Sequence, residues 1–435
     1  MMNKAKFITL DNGLTILIYT DKSKSTNHVE LYTFLGGNHY EYVDCNGNTK
    51  KIKPGTAHLL EHYVFENTID GDLFDNLKKY NILNCNGGTN TDNTSYFFNT
   101  VINFYECLEI FLKGIYNVSF SKDKLDKTKM AVYSEIRDDK ENVRNNIIYR
   151  KLNNLFTINR KTLGSSSSVN SITANELKDI YDSIYIPCNQ FLVLAGNFDY
   201  DKTLNLVRNI YKDISFKNDK ILPKVSDVKN VIRRKYIYQD DYNDEVILSF
   251  KIDVSDLSSF DRYKLDWYVG FFLDINFSSF SKINEYVNNN PNYMGDVSYY
   301  LYYFNGYLVI DIIAFTDRDD EFENLVLNCI KNRDTKEKEI FDLILKDSIT
   351  RVSVRKDSIS DYVAPIQENY IRFGYLDDDD IDVINKFNYS EYDKIIGNMI
   401  FLIIVFFIER ENKFISLSVN LCVSHFFFEV LGLQR

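Results

Sequence analysis

The sequence predicts an α+β protein built from two consecutive domains, each a mainly antiparallel sheet covered by helices. The chain has 435 residues, which is too long for one ordinary hydrophobic core. A series of strand patterns followed by helix patterns occurs twice along it. Between the two series, residues 214–230 lose their periodicity and contain a proline. We therefore expect an N-terminal domain over residues 1–215 and a C-terminal domain of similar plan over residues 231–435.

The composition is typical of a globular protein. Hydrophobic residues make up 45% of the sequence and aromatic residues 15%, which is enough for packed interiors. The net charge of −11 argues against a nucleic-acid-binding protein, because phosphate backbones require a basic surface. Six scattered cysteines without a C-x-x-C pair argue against a disulfide framework, and we expect a reducing, cytoplasmic location.

Two segments concern targeting and membranes. Residues 1–19 alternate like a strand and show no apolar secretion signal. The most apolar run is Ile400–Ile408, and its nine residues are too few for a helix to cross a bilayer core of about 30 Å. We therefore predict that this run is a buried strand and that the protein has no membrane partner.

The first half begins with a predicted β-hairpin over residues 6–20. Apolar residues alternate on both sides of Asn12-Gly13, and Asn-Gly favours a tight turn. Thr56 precedes an apolar helical pattern and is a candidate N-cap. Further strands are predicted at 28–37, 82–86, 95–102 and 190–199, and further helices at 72–80, 104–116, 122–156 and 175–185.

The second half repeats this order of elements. A long strand pattern runs from Tyr236 to Ile252 and is followed by a helical pattern at 261–275. Two more strands are predicted at 296–304 and 307–315. Helical patterns then return at 321–330 and 336–357.

Residues 55–66 read GTAHLLEHYVFE and contain two of the five histidines of the chain. Positions four apart on a helix share a face, so His58 and His62 can place their imidazoles on one metal ion. Neutral imidazoles suit Zn²⁺, and the neighbouring Glu61 can act as a general base toward water. The alternative is an ordinary pair of surface or core histidines that happen to share a helix face.

The H-x-x-E-H order resembles the inverzincin motif of the insulinase/pitrilysin family of zinc peptidases. In that family a glutamate on a later helix is the third zinc ligand. The resemblance assigns this role to Glu135, which follows His62 by 73 residues (135 − 62 = 73). Glu135 lies within the predicted helix 122–156, whose buried side should carry Met130, Val132, Tyr133 and Ile136.

Three other segments resemble the family as well. They are the opening LDNGLTILI, residues 163–199, and residues 84–98, which read NCNGGTNTDNTSYFF. In the family the last of these contains an exposed edge strand to which a peptide substrate adds by main-chain hydrogen bonds. The resemblance therefore implies that Asn86 and Thr89 bind substrate.

The function implied by the resemblance is zinc-dependent endopeptidase cleavage of short or unfolded peptides, with His58, His62 and Glu135 as zinc ligands and Glu61 as the general base. Shorter family members commonly act as dimers, so the implied partner is a second copy or a family-related subunit. The alternative function is a non-hydrolytic scaffold or peptide-binding subunit of a processing or modification complex.

The second half departs from the family at one point. Relatives often use an arginine and a tyrosine there to hold the substrate carbonyl. The corresponding segment, residues 283–303, offers Tyr299 and Tyr300 but has no arginine. We therefore expect the C-terminal domain to be catalytically silent.

Overall fold

The structure is a computed structural model of the chain. It describes residues 5–44, 46–141, 155–156, 161–212, 223–225, 233–238, 245–279, 281–290, 295–304, 306–355, 358–376 and 380–411. The fold is α+β with mainly antiparallel sheets, as predicted.

Two compact units make up the chain. The first unit contains Met1–Asp227 and Asp357–Gln367, and the second unit contains Val228–Lys356 and Glu368–Arg435. The two uninterrupted domains expected at 1–215 and 231–435 stay a prediction. The inclusion of Asp357–Gln367 in the first unit was not foreseen, because a contact between residues so distant in sequence leaves no local pattern.

The first unit contains nine strands and seven helices among its described residues before Asp227. The strands are β1 (Lys6–Thr9), β2 (Thr15–Thr20), β3 (Asn27–Thr33), β4 (His39–Val43), β5 (Thr49–Lys51), β6 (Asn84–Thr89), β7 (Thr94–Thr100), β8 (Gln190–Gly196) and β9 (Lys224–Val225). The helices are α1 (Thr56–Glu66), α2 (Leu73–Lys78), α3 (Phe104–Tyr116), α4 (Lys122–Glu141), α5 (Ser166–Asn170), α6 (Ala174–Ile184) and α7 (Tyr200–Lys212).

Six of these strands form one sheet in the order β1-β2-β8-β3-β7-β6. Every neighbouring pair is antiparallel except β2 and β8. The predicted hairpin is present, and Gly13 at its turn has a φ of +84°. Strand β6 is at one edge of the sheet, so one side of its backbone has no neighbouring strand among the described residues of this sheet. Strands β5, β4 and β9 form a separate small sheet.

The core of the first unit lies between one face of the six-stranded sheet and the helices. Leu31, Tyr96 and Leu192 from three adjacent strands are fully buried in it. Leu59 and Tyr63 of α1 are buried in the same core, and burial of each such side chain contributes about 1.5–3 kcal/mol. This packing places α1 against the edge strand β6.

Part of one late helix packs on the first unit. The ring of Tyr362 lies 4.5 Å from that of Tyr19 on β2. The Gln367 side-chain amide donates to Glu30 Oε2 at 3.2 Å and to the hydroxyl of Tyr32 at 3.1 Å, both on β3. These contacts explain why Asp357–Gln367 belongs to the first unit.

The second unit has a four-stranded sheet in the order β10-β11-β13-β12, with all pairs antiparallel. Its strands are β10 (Arg233–Tyr238), β11 (Glu245–Asp253), β12 (Ser298–Phe304) and β13 (Tyr307–Phe315). The helices from residue 259 onward are α8 (Ser259–Phe277), α9 (Lys282–Asn288), α10 (Asp319–Lys331), α11 (Glu337–Val354), α12 (Ile359–Phe373), α13 (Asp380–Ile384) and α14 (Tyr389–Glu411).

The prediction of a single strand from Tyr236 to Ile252 is wrong. The two ends of this segment form separate strands, β10 and β11, which pair antiparallel with Tyr238 opposite Glu245. The residues between them, 239–244, lie outside the described part of the chain and read QDDYND. Asp and Asn favour turns, so this composition is the signal that the strand pattern concealed.

The prediction that Ile400–Ile408 is a buried strand is also wrong, because these residues continue α14. The helix begins after Asn388, whose side chain accepts from the backbone N–H of Glu391. Tyr392, Ile395 and Met399 are buried at helical spacing before the apolar run begins. Within the described residues, no helix combines the length and the apolar character needed to cross a bilayer.

Candidate metal centre

Helix α1 starts at Thr56, so the prediction that Thr56 is the N-cap is wrong by one residue. Gly55 caps the helix with a φ of +87°, and a Cβ at this position would lie 2.7 Å from the Leu163 carbonyl oxygen. The Thr56 hydroxyl donates instead to the Lys53 carbonyl at 2.7 Å. The close approach of the Leu163 carbonyl to Gly55 explains why glycine stands directly before the helix.

The two histidines of α1 share one face of the helix. The ring centroids of His58 and His62 are 4.7 Å apart, with one ring edge directed at the other. His58 is buried and His62 is half-buried. The two side chains thus lie on one face of α1, as the H-x-x-E-H spacing predicts, and this face is at the boundary between core and solvent.

Helix α4 brings Glu135 to both histidines. Glu135 Oε2 lies 3.1 Å from His58 Nε2, and Glu135 Oε1 lies 3.3 Å from His62 Nε2. The hydrogen bond from His58 and the nearby His62 hold the pKa of the Glu135 carboxyl below its usual range. Of the residues predicted on the buried side of α4, Val132 and Ile136 are buried and Tyr133 is half-buried, whereas Met130 is exposed.

This group has the donors and the spacing of a zinc site. One ligand atom from each of His58, His62 and Glu135 lies within 4.8 Å of the other two. Donors bound tetrahedrally at Zn–N and Zn–O distances near 2.1 Å stand about 3.4 Å apart, which is close to the 3.1 Å and 3.3 Å between each histidine Nε2 and one of the two Glu135 oxygens. Two imidazoles and one carboxylate are a ligand set of catalytic zinc sites, where the fourth position is left for water or substrate.

Glu61 lies between His58 and His62 in the sequence of α1 and is held by the edge strand β6. The Thr89 hydroxyl donates to Glu61 Oε2 at 2.7 Å, and Glu61 is buried. The strand can approach this closely because position 87 is glycine: a Cβ on Gly87 would lie 3.1 Å from Glu61 Oε1. The predicted role of Thr89 in substrate binding stays a prediction, and its contact with Glu61 has no signal in the sequence because it depends on how β6 meets α1.

Asn86 does not join Glu61. Successive residues of a strand point to opposite faces, so the Asn86 side chain lies on the other face from Gly87 and Thr89. It is exposed, and its Oδ1 accepts from the backbone N–H of Gly87 at 2.9 Å. Its predicted role in substrate binding stays a prediction.

The tyrosines of the second unit differ in their surroundings. The Tyr299 hydroxyl donates to Asp274 Oδ1 at 2.5 Å, and this contact together with burial raises the pKa of Tyr299. Tyr300 is exposed. Both lie on β12, and the catalytic silence predicted for this half stays a prediction.

Comparison with known protein families identifies the chain. The family model of insulinase, peptidase family M16, matches residues 47–166, which include His58, His62 and Glu135. A second model, the peptidase M16 inactive domain, matches residues 171–345. The chain belongs to the insulinase family, peptidase family M16. The resemblance found in the sequence is thus confirmed.

Curated M16 relatives carry zinc protease names. The uncharacterized zinc protease YmfH of Bacillus subtilis is 25% identical over 203 residues, which cover 46% of this chain and 47% of YmfH. Zinc protease PqqE of Helicobacter pylori is 23% identical over 227 residues, which cover 51% of this chain and 49% of PqqE. The chain thus spans about half the length of these curated relatives.

Two crystal structures share the fold of this chain. One described as that of an M16-like peptidase from Alicyclobacillus acidocaldarius aligns with a TM-score of 0.79 at 18% identity, covering 90% of this chain and 94% of that one. A protease from Helicobacter pylori aligns with a TM-score of 0.68 at 17% identity, covering 88% and 97% of the two chains. At such low identity the alignments establish the two-domain architecture alone.

Proposed function

We propose that this chain is a zinc-dependent endopeptidase that cleaves short or unfolded peptides. The observation that carries the proposal is the convergence of His58, His62 and Glu135, together with Glu61 on the same helix as the two histidines and bonded to Thr89. The zinc protease names of M16 relatives support it. In this proposal the two histidines and Glu135 hold the ion, which when bound supplies a Lewis acid that activates water and polarises the peptide carbonyl.

Glu61 is the proposed general base. Glu61 Oε2 already accepts a hydrogen bond from the Thr89 hydroxyl. The other oxygen, Oε1, lies beside Gly87 and is therefore the one that takes the proton of the attacking water. The water oxygen bonds to the peptide carbonyl carbon, the C–N bond breaks, and the proton passes from Glu61 to the leaving amine. Fixing Glu61 with a hydrogen bond before substrate arrives lowers the cost of reaching this geometry.

The proposed substrate site is the outer edge of β6. This strand ends the sheet, so its outward backbone groups can pair with an extended peptide. Main-chain pairing requires an extended chain and takes little account of its side chains, which supports short or unfolded peptides as substrates. A peptide on this edge would lie beside Glu61, because Gly87 and Thr89 contact that side chain.

The proposed partner is a second copy of this chain or a family-related subunit. One M16 relative, 20% identical over 227 residues, is named as the β subunit of a mitochondrial-processing peptidase of Arabidopsis thaliana, which supports pairing. A cytoplasmic location is part of the same proposal. It is supported by the free thiols of Cys85, Cys107 and Cys329.

The test is metal analysis together with cleavage of an unstructured peptide by the purified full-length protein. We expect about one zinc per chain, cleavage that stops on chelation, and recovery on addition of zinc. If the peptide is cleaved only after a family-related subunit is added, the chain is an endopeptidase that acts as a heterodimer. Zinc binding without cleavage in either case would favour the scaffold function, and a protein without zinc affinity would refute the proposal.

A further inference from the structure

The last residue of α1, Glu66, lies one turn after His62 on the same helix face. Its two carboxylate oxygens have different neighbours. Oε2 accepts from the Thr128 hydroxyl at 2.7 Å, and Oε1 lies 4.0 Å from His62 Nδ1. The described residues place no other carboxylate within 4.0 Å of this nitrogen.

Thr128 connects Glu66 to the helix that carries Glu135. Thr128 and Glu135 are seven residues apart on α4, which is two turns, so they lie on the same face. Thr128 is buried, and its hydroxyl also receives a hydrogen bond from the Asn67 side chain, which in turn donates to the Tyr63 carbonyl. The Glu66 carboxylate is therefore fixed relative to both helices of the metal-binding group.

The orientation of the His62 ring gives this carboxylate a role. His62 Nε2 faces Glu135, so a metal ion held there requires the tautomer with its hydrogen on Nδ1. A metal-bound histidine usually donates that N–H to a carboxylate, a carbonyl or water, which fixes both tautomer and ring orientation. The distance of 4.0 Å between His62 Nδ1 and Glu66 Oε1 is too long for a hydrogen bond. A rotation of the Glu66 side chain that moves Oε1 by about 1 Å would bring the two atoms within hydrogen-bond distance.

His58 has no comparable neighbour. Its Nδ1 is buried and lacks a hydrogen-bond partner among the described residues. The two histidines therefore differ, and His62 is the one that a carboxylate can orient.

We propose that Glu66 is a positioning residue for His62: it accepts the Nδ1 hydrogen and thereby presents Nε2 to the metal ion. The inference rests on the proposed zinc site. Glu66 touches neither the ion nor the substrate, so its effect is exerted on metal affinity through the His62 ring.

The experiment measures zinc affinity by competition with a chromogenic chelator, and the thermal stability of the metal-free protein, for full-length variants. Glu66→Ala should weaken zinc binding by about 10–100-fold, the usual cost of losing such a partner. Glu66→Gln should lose less, because its amide oxygen can still accept the hydrogen. Thr128→Val should also weaken binding, because the carboxylate remains but loses its anchor.

Glu109→Ala is the matched control, since it removes an exposed helix glutamate paired with Lys113 on α3 and should leave zinc affinity unchanged. Equal zinc affinity of wild type and Glu66→Ala would overturn the inference and leave the zinc site intact. A loss of metal-free stability in Glu66→Ala that accounts for its weaker binding would make Glu66 a structural residue. If that variant does not fold, Glu66→Gln and Thr128→Val decide by the same criterion. A wild type without zinc affinity would overturn this inference and the proposed function together.

Discussion

In each unit an edge strand of the sheet contacts a helix: β6 contacts α1 in the first unit, and β12 contacts α8 in the second. The side chains between strand and helix differ. In the first unit, β6 presents Gly87 and Thr89 to Glu61 of α1. In the second unit, β12 presents Tyr299 to Asp274 of α8. Both arrangements satisfy a carboxylate with a hydroxyl donor. Position 87 of β6 has no side chain beside Glu61 Oε1, whereas position 299 of β12 has a tyrosine ring whose hydroxyl bonds Asp274.

This difference shows how similar architectures can serve different ends. A strand with little side-chain volume lets an acid and an edge backbone lie together, which suits a site that must accept a peptide. A strand rich in tyrosines packs instead: Tyr299, Leu301 and Tyr303 all lie against the second core. The predictions below test whether chemistry is confined to the first arrangement.

The largest effect is expected from removing a metal ligand. His58→Ala, His62→Ala or Glu135→Ala should each reduce zinc content from about one per chain to a small fraction, because two donors alone bind the ion weakly. Metal analysis of purified variants checks this. Undiminished zinc in Glu135→Ala would show that the third ligand has been wrongly assigned.

Glu61→Gln should separate chemistry from binding. The amide oxygen of Gln can still accept from Thr89, so the fold and the zinc content should persist, but Gln cannot take a proton. The kcat should fall by about 10²–10⁴-fold while peptide affinity, measured by fluorescence anisotropy, stays near wild type. Identical cleavage rates of wild type and variant would assign the activity to a contaminant.

The two glycines of β6 offer a matched pair. Gly87→Ala places a Cβ 3.1 Å from Glu61 Oε1 and 3.3 Å from its Cγ, so the carboxylate must shift, and kcat should fall by about 10-fold. Gly88→Ala meets no atom within 4 Å and should change kcat by about twofold at most. Equal effects of the two substitutions would show that contact with Glu61 is not what requires glycine at position 87.

Tyr299→Phe should have the smallest effect. Loss of its hydrogen bond to Asp274 should lower the free energy of unfolding by about 1 kcal/mol, as measured by denaturant titration. Zinc content and kcat should not change, because this contact lies in the second unit. A large fall in kcat at unchanged stability would instead give β12 a part in catalysis.

Local chemistry explains which parts of the fold could be predicted. The Asn12-Gly13 turn and the alternating residues around it are sufficient to specify β1 and β2. The strand prediction for Ile400–Ile408 is wrong because the helical signal lies in the spacing of buried residues before the run, such as Tyr392 and Met399. Apolar runs without visible periodicity leave helix and strand indistinguishable.

In the candidate site too, some features follow from local sequence and others depend on contacts between distant segments. The spacing of His58 and His62 is local, and it correctly places both on one helix face. Glu135 came only from the family resemblance, because a glutamate on a long polar helix carries no distinguishing pattern. The contacts of Thr89 with Glu61 and of Thr128 with Glu66 join segments 28 and 62 residues apart, and no sequence period records such pairs.

The segment Asp357–Gln367 has a consequence for how the protein is made. The first unit is not complete when the ribosome has passed Asp227, because the contacts of Gln367 with Glu30 and Tyr32 form only 140 residues later (367 − 227 = 140). Domains generally fold as they emerge, N-terminal first. Here the face of the sheet around Tyr19 and Glu30 must wait for a segment that lies beyond most of the second unit, so a fragment ending at Asp227 would keep that face uncovered.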